Sequence, residues 1–433
     1  MALSSTTTGH LTFMDFLEHG HAIASEGLKP ISNEKSFQLT IGNEAGDADS
    51  IVSALSLAYV NNLCESARKS IIVPLVSVPR ADIPLRRDAV LLLDMAGVHT
   101  DDLIYSDDEI VSKLLADTAD SSITLVDHNR IRSSLSHLSH KVSAILDHHE
   151  DEKSHEQVTI ESGNRIIAFE DGLATVASTC TLVAEKLFRV IEPSALIDRS
   201  LGLVLLGVIL LDSVNMLPEA GKGTPRDKEA IQTLLKRTDW TSIANRPPPT
   251  LIDDAALDKI FTNGRDAQPD RPALFDALSG AKFDPKFWQG MSAQDCLRID
   301  YKRFPVTDSS VRSIGISTVL IDMKSFLEKQ NLQQVMADYV ESENVDIFGV
   351  MSMHCNDEGT WMRELLLTGI NAKIVDTFAD RLLNHPDAAF LEIAEEPNCI
   401  NGNETVRLFS QGNIKGSRKQ VAPVLLSFAS TLS

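Results

Sequence analysis

Two carboxylates and an amide lie within one short stretch, IGNEAGDADS, at residues 41–50. Asn43, Asp47 and Asp49 carry side-chain oxygens of the kind that bind hard divalent cations. The same residue types also favour turns and helix N-termini, where they accept backbone N–H groups, and for this stretch alone capping is the more ordinary explanation. A metal site therefore requires further ligands elsewhere in the chain.

Such ligands follow other apolar segments. Asp127 and Asp147 each end a predicted buried strand, His148 and His149 come directly after Asp147, and Asp212 ends a predicted buried helix. Taken singly, the two strand-end acids could be caps and either histidine could be an ordinary core residue. Buried carboxylates are costly unless they are paired or bind a cation, so several at one edge favour a common divalent metal site.

The surrounding pattern predicts the elements that position these residues. Alternating apolar residues at Phe37, Leu39 and Ile41 indicate a strand, and apolar residues from Ile51 onward recur at helical spacing. Further buried strands are predicted at 71–76, 89–94, 123–127 and 143–147, and helices at 174–190, 196–213 and 226–237. Strands that alternate with helices predict a mostly parallel α/β sheet.

The residue composition changes after residue 213, where proline and charged residues replace the periodic apolar residues. We predict an N-terminal domain at 1–220, a linker region with a helix at 221–252, and a smaller mixed α/β C-terminal domain at 253–433. Strand-like segments support the second domain at 296–304, 311–321, 345–354 and 361–369, followed by a helix at 373–384.

Composition limits the class of protein. The 433 residues carry a net charge of −21, which disfavours non-specific nucleic-acid binding. The longest apolar run, 201–211, is too short for a membrane span, so no membrane association is expected. Five scattered cysteines without a Cys-x-x-Cys pair, and an N-terminus without transit-peptide features, predict a cytoplasmic protein with reduced thiols.

Together these motifs resemble the DHH phosphoesterase superfamily. The resemblance is carried by Asn-x-x-x-Asp-x-Asp at 43–49, Asp-His-Asn at 127–129, Asp-His-His at 147–149 and Leu-Asp-Ser around 212. In the second half, DYK at 300–302 and GSRKQ at 416–420 resemble the C-terminal domain shared by manganese-type inorganic pyrophosphatases, prune proteins and fungal exopolyphosphatases. The family implies two divalent metal ions, Mg²⁺ or Mn²⁺ with Co²⁺ as a further option, held by Asn43, Asp47, Asp49, Asp127, His148 and Asp212.

The resemblance implies that residues 1–220 form the catalytic domain and that the active site lies in the cleft between the two domains. It also implies roles outside the metal ligands. His149 matches a residue close to the phosphate and to the nucleophile that Asp127 helps to hold, so both are predicted catalytic residues. Lys302, Arg418 and Lys419 match cations that bind substrate phosphates, although by composition alone the last two would be an ordinary solvated basic pair. Lys222 and Arg226 are weaker candidates, for which a surface role is the simpler expectation.

One residue that differs between branches of the family helps to distinguish their activities. Asn43 stands where the pyrophosphatases have histidine, a pattern associated with exopolyphosphatases and prune, and an amide oxygen favours magnesium over manganese. The expected function is therefore exopolyphosphatase, the removal of terminal phosphate from inorganic polyphosphate. An inorganic pyrophosphatase, a prune-like phosphodiesterase or interaction protein, an oligonucleotide-cleaving relative and a catalytically silent scaffold are the alternatives; His149 disfavours the prune-like one, because prune resemblance predicts arginine there.

Overall fold

The chain forms two compact units, residues 1–281 and 282–433. The computed structural model describes residues 11–25, 36–64, 70–116, 120–242, 251–264, 266–307, 309–397 and 405–432. Each unit contains its own sheet and its own helices, which confirms the predicted α/β class with a larger N-terminal and a smaller C-terminal part.

The first unit is built on a five-stranded parallel sheet in the order β2-β1-β3-β4-β5. The described strands are β1 Ser36–Ile41, β2 Ser70–Leu75, β3 Ser121–Val126, β4 Val142–Asp147, β5 Arg165–Ile167, and the short hairpin β6 Phe169–Glu170 and β7 Leu173–Ala174. The described α-helices are α1 Phe13–Ser25, α2 Ala48–Cys64, α3 Arg87–Met95, α4 Glu109–Leu114, α5 Thr179–Val190, α6 Arg199–Asp212, α7 Pro225–Arg237, α8 Asp254–Ile260 and α9 Arg271–Lys282.

Neighbouring strands of this sheet point the same way, so their C-terminal ends meet along one edge. The register aligns Ile41 at the end of β1 with Leu125 near the end of β3, and Val126 with Leu146 on β4. Residues that follow β1, β3 and β4 are thus brought together, as the alternating and continuous apolar runs predicted. The predicted strands at 71–76, 123–127 and 143–147 are confirmed within one or two residues.

The predicted strand at 89–94 is wrong, because this segment lies in helix α3. A short continuous run of buried apolar residues fits a buried helix as well as a buried strand. Leucine and alanine favour helix, and α3 packs on α6, where a Cβ added to Gly207 would lie 2.5 Å from Leu92. The helix predicted across 201–211 is confirmed as the buried interior of α6.

The compact units divide after residue 281, later than the connection that the sequence places at 221–252. The helices after α7 account for the difference, since Leu257 and Ile260 of α8 and Leu274 and Leu278 of α9 belong to the core of the first unit. Burial of these four side chains attaches α8 and α9 to that unit.

The second unit has a six-stranded mixed sheet in the order β12-β13-β11-β10-β9-β8, in which only β9 and β10 run parallel. Its strands are β8 Tyr301–Pro305, β9 Ser313–Val319, β10 Ile347–Cys355, β11 Trp361–Gly369, β12 Ile393–Glu396 and β13 Arg407–Gln411. Its α-helices are α10 Pro285–Gly290, α11 Ala293–Arg298, α12 Met323–Leu327, α13 Leu332–Ser342, α14 Ala372–Asn384 and α15 Arg418–Ser430.

Four predictions for this unit hold, including the helix at 373–384, which is α14, and one holds in part. The strands at 311–321, 345–354 and 361–369 correspond to β9, β10 and β11, whereas the segment 296–304 divides into the end of α11 and the strand β8. One face of the sheet is covered by α14 and α15 around Phe378, Phe409 and Phe428. Among the helices of the described ranges, none is both long and apolar enough to cross a membrane.

Candidate metal centre

The turn after β1 fixes the orientation of Asn43. Its Oδ1 accepts hydrogen bonds from the backbone N–H groups of Ala45 and Gly46, at 2.9 and 3.3 Å. Its Nδ2 donates to Oδ2 of Asp127 at 2.5 Å. Because two backbone N–H groups already donate to Oδ1, the side-chain amide of Asn43 is oriented with its N–H group toward Asp127. The prediction that Asn43 supplies an oxygen to a metal stays a prediction.

The same turn is held by a buried arginine and leads into α2. Arg86 donates from Nη2 to the carbonyl of Ala45 and from Nε to the carbonyl of Gly46, at 2.8 and 3.2 Å. Asp47 caps α2 by accepting a bond from the backbone N–H of Ser50 at 3.0 Å. The capping role that the sequence allows for Asp47 is therefore present, and it engages only Oδ1.

Asp49 is a buried carboxylate at the start of α2, where it accepts hydrogen bonds from the start of α5. Ser178 Oγ and Cys180 N donate to Oδ1 at 2.7 and 3.0 Å, and Thr179 N donates to Oδ2 at 2.8 Å. Burial, followed by the neighbouring charge of Asp47, raises the pKa of Asp49, and the three donors oppose the rise. The N-terminal end of α5 thus partly compensates this anion.

Asp127 occupies the residue after β3 with a left-handed backbone, at φ 63°. Few residues other than glycine adopt this conformation, and aspartate and asparagine are among them. The backbone N–H of Asp127 bonds to the carbonyl of Leu146 on β4 at 3.0 Å, and Thr179 Oγ1 donates to Asp127 Oδ1 at 3.1 Å. The side chain, only 2% exposed, is therefore fixed between β3, β4 and α5.

Asp147, the last residue of β4, orients the two histidines that follow it. Its Oδ1 accepts from the backbone N–H groups of both His148 and His149 and from Nδ1 of His149 at 2.8 Å, while Asn129 donates to Oδ2 at 2.7 Å. Burial opposes ionisation, but the histidines and these donors hold the pKa of Asp147 well below its ordinary value. The carboxylate accordingly accepts, and Nδ1 of His149 carries the proton.

The donor atoms of these residues fit a bound cation. His148 Nδ1 lies 3.2 Å from the carbonyl of Val176, which requires the proton on Nδ1 and leaves Nε2 as a lone pair. That Nε2 lies 3.6 Å from Asp127 Oδ1 and 3.9 Å from Asp49 Oδ2, beyond hydrogen-bond length. Asp127, His148 and His149 form a group whose possible ligand atoms all lie within 4.8 Å of one another. Carboxylates and imidazole at this spacing suit a divalent metal.

Asp212 belongs to the same region, although its evidence is indirect. It ends α6, as predicted, and its charge acts on the buried thiol of Cys180 together with those of Asp49 and Asp127. Burial and then these acids raise the pKa of Cys180 well above its ordinary value. The raised pKa of Cys180 therefore indicates that three of the predicted ligands place negative charge close to this thiol.

In the second unit, two of the predicted phosphate-binding cations lie near Asp300, the first residue of the DYK motif, to which the sequence analysis assigned no role. Arg418, the first residue of α15, donates from Nη1 to the carbonyl and from Nη2 to Oδ1 of Asp300, at 2.8 and 2.7 Å. Lys302 lies two residues further along β8, and its charge also acts on Asp300. Lys419 follows Arg418 on an exposed position of α15.

A second acid that the sequence analysis missed supports the start of α5. Asp227, with no exposed surface, accepts from Ala177 N at 2.9 Å, from Thr181 Oγ1 at 2.6 Å and from Thr224 N and Oγ1 at 2.8 and 2.7 Å. It thereby joins the capped end of α7 to residues 177–181, which supply the donors to Asp49. The sequence TPRD does carry the signal, since it matches a helix N-cap followed by an acid three residues later.

Arg226, one of the two weaker candidates, pairs with a carboxylate. Its Nε and Nη2 bind both carboxylate oxygens of Glu185 at 2.8 and 2.7 Å. This pairing joins α7 to α5 and is the simpler role for Arg226.

Family models match both units. Residues 39–208 match the DHH family N-terminal domain, and residues 276–428 match the DHHA2 domain. These two matches contain the candidate ligands from Asn43 to His149 and the cations Lys302, Arg418 and Lys419, whereas Asp212 lies four residues beyond the first match.

Relatives and a solved structure resemble the chain over most of its length. The exopolyphosphatase PRUNE1 of Bos taurus is 27% identical over 91% of this chain and 76% of its own, and the human protein of that name is 26% identical over the same shares. A Schizosaccharomyces pombe protein assigned as an exopolyphosphatase is 28% identical over 95% of this chain and 96% of its own. A crystal structure from Methanococcus jannaschii, assigned as a family II inorganic pyrophosphatase, has a TM-score of 0.54 and 19% identity, covering 90% of this chain and 99% of its own, which shows a shared fold.

Proposed function

Because the chain belongs to the DHH family and carries a DHHA2 domain, we propose that it is a metal-dependent exopolyphosphatase. It would hydrolyse the terminal phosphoanhydride bond of linear inorganic polyphosphate and release orthophosphate. The relatives that carry the name exopolyphosphatase support the substrate class.

One observation carries the proposal. Nε2 of His148 lies 3.6 Å from a carboxylate oxygen of Asp127 and 3.9 Å from one of Asp49, beyond hydrogen-bond length, at the C-terminal edge of a parallel sheet. Such a group of anionic and neutral ligands is stable when a divalent cation lies among them. Hydrolysis of a highly charged phosphate chain needs positive charge of this kind.

We assign the metal-holding role to Asp47, Asp49, Asp127, His148 and Asp212, with Asn43 beside them. Two divalent ions bound there would supply charge against the phosphate oxygens and lower the pKa of an attacking water. The protein's own contribution is to fix these ligands. Hydrogen bonds from residues 178–180 orient Asp49, and Thr179 and Asn43 orient Asp127.

His149 is proposed as the general acid. Its Nδ1 is held by the ionised carboxylate of Asp147, so Nε2 is the nitrogen that would transfer a proton to the leaving phosphate. A carboxylate bonded to the other ring nitrogen also stabilises the protonated imidazole. The side chain of His149 is 24% exposed, which gives a ligand access that the buried His148 lacks.

Lys302, Arg418 and Lys419 are proposed to bind phosphates of the polymer. Asp300 would keep the guanidinium of Arg418 in one orientation, because two of its nitrogens bond to that one residue. An oriented guanidinium loses less conformational entropy when a phosphate binds.

Inorganic pyrophosphatase activity is the second candidate, and the fold shared with the Methanococcus jannaschii structure favours it. The side chain of Asn43 argues for the longer substrate, since the pyrophosphatase pattern has histidine at that position. A prune-like phosphodiesterase or interaction role is the third, and the PRUNE1 relatives favour it.

The test compares substrates and metals in one preparation. Phosphate release from long-chain polyphosphate, pyrophosphate and a cyclic nucleotide is measured with Mg²⁺, Mn²⁺ or Co²⁺, and with EDTA as the metal-free control. We expect the largest kcat/KM for polyphosphate and no turnover in EDTA. Faster turnover of pyrophosphate or of the cyclic nucleotide would replace this proposal by the second or third candidate.

A further inference from the structure

Among the described residues of the second unit, one arginine is buried without an acidic partner. Arg363 on β11 is only 7% exposed. Its Nε donates to the carbonyl of Ile414 at 2.6 Å, and within the described ranges this is the hydrogen bond that its guanidinium makes. Burial lowers the pKa of Arg363, with no carboxylate contributing in the opposite direction.

Three other arginines in this unit differ from Arg363 because each pairs with a carboxylate. Arg312 pairs with Asp346, Arg407 with Asp376, and Arg418 with Asp300. A buried charge is costly unless an opposite charge compensates it. Arg363 is thus a guanidinium whose positive charge is left for an anion from outside the described residues.

The register of the sheet places Arg363 on the same face as Lys302. Lys302 lies opposite Ile316, Ile316 opposite Gly349, and Gly349 opposite Leu367, which is four residues along β11 from Arg363. Directly paired residues share a face of a sheet, and so do residues separated by an even number along one strand. This face carries the second unit's predicted phosphate-binding lysine.

The segment before α15 connects Arg363 to Arg418. Residues 412–417 follow β13, with the carbonyl of Ile414 bonded to Arg363, and Arg418 then reaches Asp300 next to β8. Gln411 braces this segment by donating to the carbonyls of residues 413 and 416. Three strand spacings across the sheet and an offset of two residues along β11 separate the backbone of Asp300, which holds Arg418, from that of Arg363 by about 16 Å.

We propose that Arg363 binds a phosphate of the polyphosphate chain several units away from the phosphate held beside Arg418, and so selects for chain length. The inference rests on the proposed function for its ligand. Pyrophosphate, with only two phosphoryl groups, is too short to bind beside both arginines, whereas a longer linear chain can do so. Arg363 would therefore add affinity for long chains and none for pyrophosphate.

The test measures binding to the full-length protein in EDTA, where no substrate is hydrolysed. Long-chain polyphosphate and pyrophosphate are titrated calorimetrically into wild type, Arg363→Gln and Arg363→Lys. Glutamine retains a donor for the Ile414 carbonyl but removes the charge, and lysine retains the charge. We expect about tenfold weaker binding of long chains by Arg363→Gln, or about 1.4 kcal/mol, with lysine close to wild type and pyrophosphate unchanged.

Arg312→Gln is the matched control, because it removes an equal charge from the same unit. The side chain of Arg312 is 64% exposed, and this residue directly precedes the N-terminal end of β9. Its long-chain affinity should stay within twofold of wild type. Equal affinities of Arg363→Gln and wild type for long chains would overturn the inference. So would equal losses in Arg363→Gln and Arg363→Lys, since arginine would then act only by holding residues 412–417.

These outcomes are separable from the proposed function. If the wild type binds long chains through Arg363 but releases no phosphate with any metal, the exopolyphosphatase proposal fails and the binding role stands. If the wild type releases phosphate and Arg363→Gln binds and hydrolyses long chains normally, the exopolyphosphatase proposal stands and the binding role of Arg363 fails. Thermal unfolding of each variant confirms that the folded protein is being compared.

Discussion

Replacing Asp227 by alanine tests whether the proposed metal site depends on a residue that is not itself a proposed ligand. Asp227 is fully buried and accepts from Ala177, Thr181 and Thr224. Hydrogen bonds to a charged group contribute roughly 1.5–3 kcal/mol each, and removal of the acceptor leaves several buried donors unsatisfied. We expect Asp227→Ala to lower the free energy of unfolding by about 3–5 kcal/mol, in line with the loss of other buried charged partners.

The same change should also weaken metal binding by the proposed ligands. Residues 178–180 donate three hydrogen bonds to Asp49, and the bonds from Ala177 and Thr181 to Asp227 hold this segment on both sides. Loss of supporting groups around a metal ligand typically weakens metal binding 10- to 100-fold. We therefore expect the Mn²⁺ dissociation constant of folded Asp227→Ala to rise by about that factor.

Urea unfolding and Mn²⁺ titration of the same preparation check both effects. Asp253→Ala is the control, since Asp253 caps α8 with a single bond to Ala256 N at 2.8 Å and lies at the surface. The control should lose only about 1 kcal/mol of stability and keep wild-type Mn²⁺ affinity. A destabilised Asp227→Ala with unchanged Mn²⁺ affinity would refute the coupling between α7 and Asp49.

Three further outcomes are expected. Asn43→His should shift the preference from Mg²⁺ toward Mn²⁺ because imidazole is the softer ligand, and an unchanged affinity ratio in competition titrations would leave Asn43 as a hydrogen-bond donor alone. Burial opposes ionisation of Asp300, but Arg418 holds the pKa of Asp300 below its ordinary value, so the ion pair stabilises the fold above about pH 4 and this stability is lost on further acidification. Urea midpoints measured at falling pH should therefore decrease less in Asp300→Asn than in wild type. An equal decrease in both proteins would count against the pairing. An aromatic disulfide reagent should label the exposed Cys355 in the native protein and leave Cys180 unlabelled until unfolding, because burial and adjacent acids raise the pKa of Cys180; rapid native labelling of Cys180 would contradict its environment.

Sequence patterns were sufficient where one local rule determined the structure. Apolar strands followed by Asp127 and Asp147 predicted both the parallel sheet and the edge at which these acids meet. No local pattern determined the structure of the segment 89–94, because six consecutive apolar and acidic residues are compatible with a buried strand or a buried helix. Its packing against α6 determines that it is helical.

The candidate site shows the same limit in its details. The types and spacing of Asn43 and Asp127 indicated a ligand cluster, but the backbone bonds that turn the amide nitrogen of Asn43 toward Asp127 depend on the turn geometry. The pair of Asp300 and Arg418 joins residues 118 positions apart, and no local pattern encodes such a partner. Long-range contacts of this kind follow only from the folded sheet.

The most direct test of the central claim is Asp127→Asn, which keeps the left-handed backbone that asparagine tolerates but removes a charged ligand. Asp171→Asn is the control, since Asp171 also has a positive φ and lies exposed in the hairpin β6–β7. Polyphosphate hydrolysis and Mn²⁺ binding are measured side by side on folded protein. We predict that Asp127→Asn lowers kcat/KM by about a thousandfold or more and weakens Mn²⁺ binding, because several kcal/mol of charge stabilisation are lost, while the control matches wild type. Near-normal turnover and metal binding by Asp127→Asn would contradict the assignment of this edge of the sheet as the catalytic metal site.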